Sequence, residues 1–91
     1  MTLLDDRRPS DTGFRMYRRY EITVSGGLGG ALQAAELLRD CGLPVRDFSV
    51  EVREGVPYSS VFATMSMTVR EAPDFADRML AHPMVLAVDP S

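Results

Sequence analysis

Ninety-one residues, 45% of them hydrophobic, make one small domain, which buries roughly 60–65% of the surface its unfolded chain exposes. One cysteine, Cys41, excludes an intramolecular disulfide framework and any CxxC metal or redox motif, and no apolar run approaches the ~20 residues that span a bilayer. The net charge of −3 divides unevenly: five Arg against three Asp over residues 1–19 (+2), five Arg against ten acids over residues 20–91 (−5), so the body of the chain repels a phosphate backbone.

All ten basic residues are arginine. The N-terminus, Met1-Thr2-Leu3-Leu4-Asp5-Asp6, lacks the pattern of a signal peptide, and the expected location is the cytoplasm. Residues 1–13 hold no sustained period and read as a flexible leader before a domain over 14–91.

From Phe14 the chain alternates, with Phe14, Met16, Tyr20, Ile22 and Val24 on one face and Arg15, Tyr17, Arg19, Glu21 and Thr23 on the other. Period two marks a half-buried strand, best defined over Tyr17–Val24. Arg18 interrupts the apolar face and places that end near the rim of a sheet. Next comes Ser25-Gly26-Gly27-Leu28-Gly29-Gly30, four glycines in five residues. Such a run permits positive φ and close backbone approach. The first amides of the helix after it have no intrahelical acceptor and can hold an anion.

Leu28, Ala31, Leu32, Ala35, Leu38 and Cys41 then recur at three- and four-residue steps, one face of a helix, with Gly42 and Pro44 as its stop. Phe48, Val50 and Val52 alternate with Asp47, Ser49, Glu51 and Arg53 as a second strand. Glu54-Gly55-Val56-Pro57 is a turn, and Val61, Ala63, Met65, Met67 and Val69 line a third strand, completing a hairpin. A second helix begins near Arg70-Glu71-Ala72-Pro73-Asp74, carries Phe75, Met79 and Leu80 inward, and stops at Pro83. Met84–Val88 is a last strand, ended by Asp89-Pro90. His82 lies in the last helical turn, where the dipole favours an imidazolium, and no second histidine exists to share a metal.

The order strand, helix, strand, strand, helix, strand is the α+β, ferredoxin-like βαββαβ pattern. It predicts a four-stranded antiparallel sheet with two helices on one face and the first and third strands in the centre. The chain carries no nucleophile–base–orienter set, so an enzyme is not expected and no cofactor is implied. An RNA-recognition surface needs aromatics on the central strands and a basic face; Tyr17, Tyr20 and Phe62 stand here on an acidic domain, and neither nucleic acid nor membrane is expected as a partner.

Over Tyr20–Pro90 these residues resemble the ACT domain, the small regulatory module of amino-acid metabolism. Gly29-Gly30-Ala31-Leu32 stands where ACT domains carry Pro-Gly-x-Leu, with Gly30 and Leu32 matching. Cys41-Gly42-Leu43-Pro44-Val45 resembles the family's exit into its second strand, and His82-Pro83-Met84-Val85-Leu86-Ala87-Val88 its closing segment. The resemblance implies a side-by-side homodimer with a small effector, usually an amino acid, at the subunit interface. Gly29 and Gly30 would approach the ligand, Gly27 and Leu28 would line the loop, and Ser25 and Asp47 would offer oxygens to an ammonium. The chain departs from the family in having Gly29 in place of the motif proline and in containing no asparagine. A ligand-free dimerisation or protein-interaction module is the alternative that this departure favours.

Overall fold

The computed structural model describes residues 14–91; the leader expected over 1–13 lies outside the described residues. The chain runs β1 (Met16–Ser25), α1 (Leu28–Asp40), β2 (Val45–Val52), β3 (Tyr58–Met67), α2 (Glu71–Leu80) and β4 (Val85–Pro90). All strand pairs are antiparallel and the sheet order is β2-β3-β1-β4. β1 and β3 are therefore central, as the right-handed crossover rule requires of a ferredoxin-like α+β fold.

The core follows from period two on the central strands. Ile22 and Val24 of β1 and Val61, Ala63, Met65 and Met67 of β3 have no exposed surface. Against them pack Ala31, Ala34 and Leu38 of α1, Phe75 and Met79 of α2, and Val85 of β4. Tyr20 joins them, its ring tilted at 46° to that of Phe75 with centroids 5.1 Å apart. Arg18, on the same face of β1, is half-buried, and its Nε is enclosed with no hydrogen-bond partner.

Three details differ from the pattern read in the sequence. First, α1 is rotated: Ala31, Ala34 and Leu38 face the core, while Leu28 and Leu32 are 62% and 58% exposed. The apolar stripe of α1 is wider than the surface the sheet offers it. Second, β2 alternates as expected, with Phe48, Val50 and Val52 opposite the buried Ala63, Val61 and Ser59, yet all eight of its residues are exposed. Periodicity reports which face a side chain takes, and at a sheet edge that face extends past the helix meant to cover it. Third, β4 continues through Asp89-Pro90 instead of ending there. An edge strand tolerates a proline, because the missing N–H costs no ladder bond on the open side. Leu80 and Val69, expected inside, are also half-exposed.

The helix stops are as the residues dictate. Gly42 takes φ +81° just beyond α1, and the Cys41 thiol donates to the Leu38 carbonyl at 2.9 Å. At the start of α2, Thr68 and Glu71 close a reciprocal capping box. The Thr68 N–H donates to Glu71 Oε1 (2.9 Å) and the Glu71 N–H donates to Thr68 Oγ1 (3.2 Å). Arg15 binds the same carboxylate at 3.1 Å and reaches the Ser66 carbonyl and hydroxyl. These bonds to the ionised form, the Thr68 amide foremost, hold the Glu71 carboxyl below its ordinary value of 4.5.

Candidate functional site

The glycine loop leaves β1 where the ends of four strands converge. The Ser25 N–H donates to the Met84 carbonyl (2.8 Å), tying the loop to the approach to β4, and the Gly26 N–H donates to the Pro57 carbonyl (2.9 Å) ahead of β3. Gly26 has φ +87°, a conformation that a side chain would strain. Gly27 then caps α1 with no side-chain bond to its amides, and its carbonyl receives the Ala31 N–H at 3.1 Å.

The two remaining glycines are held for different reasons. A Cβ on Gly30 would collide with the Ser25 carbonyl, with Val24 Cγ2 also 3.6 Å away. A Cβ on Gly29 would meet nothing within 4 Å. Gly30 is thus required by the fold, whereas Gly29 presents its backbone to open space. Gly27 lies 4.0 Å from Val52 Cγ1, measured from where its own Cβ would stand, so the loop touches the last residue of β2.

Ser59 was not visible as part of this site from the sequence, where it lies 33 and 32 residues from Gly26 and Gly27. The strand register brings it there, opposite Val24 on one side and Val52 on the other. Buried, its hydroxyl contacts the carbonyls of Gly26 (3.0 Å) and Gly27 (3.1 Å). The loop therefore turns carbonyls toward Ser59, and the Leu28, Gly29 and Gly30 amides stand in the first turn of α1, where the helix offers them no acceptor.

Of the expected site residues, Ser25, Gly27, Leu28, Gly29 and Gly30 are brought together. Asp47 is not. It pairs with Thr64 on the sheet face away from the helices, next to Arg46 at 3.9 Å. It also stands five residues along β2 from Val52, about 17 Å at strand rise. An ammonium beside the loop would find Ser25 as the one expected oxygen-bearing side chain within the same protomer.

A second surface adjoins this loop. Leu28 and Leu32 of α1 run alongside Val45, Phe48, Val50 and Val52 of β2, all exposed. At its far end Ala35, Leu38, Arg39, Leu43, Val45 and Phe48 line an open hollow of about 390 Å³. On the opposite sheet face, Tyr17 and Phe62 are each covered by a guanidinium: Arg46 lies 4.7 Å from the Tyr17 ring centre and Arg19 5.3 Å from that of Phe62. Tyr20 points into the core instead. Among the described residues no group of three potential metal ligands exists, and no helix is long and apolar enough to cross a membrane. No protein-family model matches this chain, nor does any curated protein.

Proposed function

We propose that this chain is an ACT-like regulatory module of the cytoplasm that binds a small effector, an amino acid in the first instance, as a homodimer. One observation carries this reading: the first-turn amides of α1, from Leu28 to Gly30, have no side-chain cap, and the Cβ position of Gly29 among them opens to space. They are donors fit for the carboxylate of a small acid, and Leu28 and Val52 supply apolar contact. Mechanistically the module acts by linkage. A ligand that prefers one assembly stabilises it and biases an attached or associated protein by its differential affinity. No catalytic step is assigned to it.

The alternative is a ligand-free dimerisation or interaction module. The exposed apolar flank of β2 and α1 favours it, as does the scarcity of acceptors for an ammonium beside the loop.

Thermal unfolding against a panel of free amino acids at millimolar concentration separates the two. A ligand at about a hundred times its Kd adds ~2.7 kcal/mol, several degrees for a domain of this size. The expected result is one selective shift that Gly29→Leu abolishes while the variant melts near the unliganded wild type. A flat panel rejects amino acids as the effector and leaves the interaction module.

A further inference from the structure

We infer that the sheet face turned away from the helices docks a short acidic segment of a partner protein, whose carboxylates pair with Arg19 and Arg46. This surface is separate from the glycine loop and from the β2 edge, and it stands whether or not the loop holds an effector.

The face sorts its charges by end. Tyr17 and Arg19 of β1 lie on it, opposite Ser66 and Thr64 of β3 and about 6.7 Å apart along the strand. Arg46 joins them from β2. The register against β3 shifts between Val45 and Asp47, and Arg46, the residue left out of the ladder, reaches across to the Tyr17 ring, 4.7 Å from its centre. Arg15, just ahead of β1, bonds to the Ser66 hydroxyl on the same face. One step beyond Arg19 the sign reverses. Glu21 stands beside Asp89 of β4, and Glu51 lies a further step along on β2.

The arginines are not equivalent. Arg15 is already engaged, by Glu71 and by the Ser66 carbonyl and hydroxyl. Arg46 meets the carboxylate of Asp47 only at 3.9 Å, with both side chains more than half exposed, which makes a weak pair. Arg19 has no carboxylate partner among the described residues, and the nearby Glu21 accepts instead from the Ser60 hydroxyl at 2.9 Å. What holds Arg19 and Arg46 is aromatic: Phe62 under the first, at 5.3 Å, and Tyr17 under the second. A ring attracts a cation through its quadrupole and neutralises no charge. Each guanidinium is thus steadied with its charge uncompensated, so less side-chain freedom is left for an ion pair to remove. Its planar fork matches a carboxylate through two parallel hydrogen bonds.

The extent of the patch selects the occupant. The chain is net −3, and a long polyanion laid along the sheet would pass from Arg19 onto Glu21, Asp89 and Glu51 and be repelled. A short acidic peptide meets the two cations and goes no further.

The test is fluorescence anisotropy of a labelled peptide of alternating glutamate and serine, titrated at low salt with the full 91-residue chain, beside its glutamine counterpart. The glutamate peptide is expected to bind and the glutamine peptide not, although the protein's own net charge opposes the first. Arg19→Gln and Arg46→Gln, both exposed and each checked for folding by circular dichroism, should raise Kd roughly tenfold. Arg19→Lys keeps the charge without the fork and should recover only part of that loss. Tyr17→Leu removes the ring under Arg46, alters no charge, and should weaken binding roughly threefold. Arg78→Gln makes the same change of net charge on α2 and should leave Kd where it was. No binding of the glutamate peptide, equal binding of the glutamine peptide, or equal losses at Arg19 and Arg78 would each overturn the site. Displacement of the peptide by an oligothymidylate of equal length at lower concentration would overturn the class of partner.

Discussion

Gly30 and Gly29 are neighbours with opposite obligations. Gly30→Ala forces a methyl against the Ser25 carbonyl, and since that atom is backbone, the turn itself must shift. The expected loss is about 2–3 kcal/mol in chemical denaturation, in the range of core overpacking. Gly29→Ala meets nothing and removes backbone freedom from the unfolded chain, so its denaturation midpoint should stay level or rise by up to about 1 kcal/mol. Glu71 gives a second prediction at this scale. Its carboxyl is held below the ordinary value, chiefly by the Thr68 amide and then by Arg15. The folded state therefore gains from this group at pH values above 4.5, and the gain disappears as pH falls through the lowered native value. Glu71→Gln should flatten that acid limb of stability and leave the neutral-to-basic profile unchanged in slope.

Helices and strands were legible in the chain because period two and period 3.6 survive local reading. Four inward residues of β3, Val61 to Met67, were readable as such, and so was the stop at Gly42. What local reading does not carry is how far a neighbouring element reaches. The α1 stripe beginning at Leu28 and Leu32 and the β2 alternation at Phe48, Val50 and Val52 both read as core, and both overhang it. The loop of the candidate site was legible from its glycines, but Ser59 enters only through strand register, and Asp47 looked near because chain order does not state which sheet face a residue takes. A local signal was available for α2 in Thr68-Val69-Arg70-Glu71, which spells a capping box. Thr68→Ala removes the side-chain acceptor for the Glu71 amide, which keeps the Thr68 carbonyl at 3.1 Å, and should cost about 1 kcal/mol, measured by urea unfolding, with the Arg15–Glu71 contact intact.

For the whole molecule, the thin core and the uncovered flank of β2 point the same way. If a second copy covers that flank, unfolding is coupled to dissociation, and the melting temperature should rise with protein concentration, most visibly across a hundredfold range. A single concentration-independent melt would leave β2 bare in solution. The hydroxyl of Ser59 constrains how the loop behaves under either outcome. Holding the carbonyls of Gly26 and Gly27 from a buried position, it lets the loop swing away only by stranding a polar atom in the sheet, at a cost of ~1–3 kcal/mol. A ligand arriving at those amides would meet a surface already set, with little ordering left to do; whatever selectivity the loop has is written into its resting shape rather than acquired on contact.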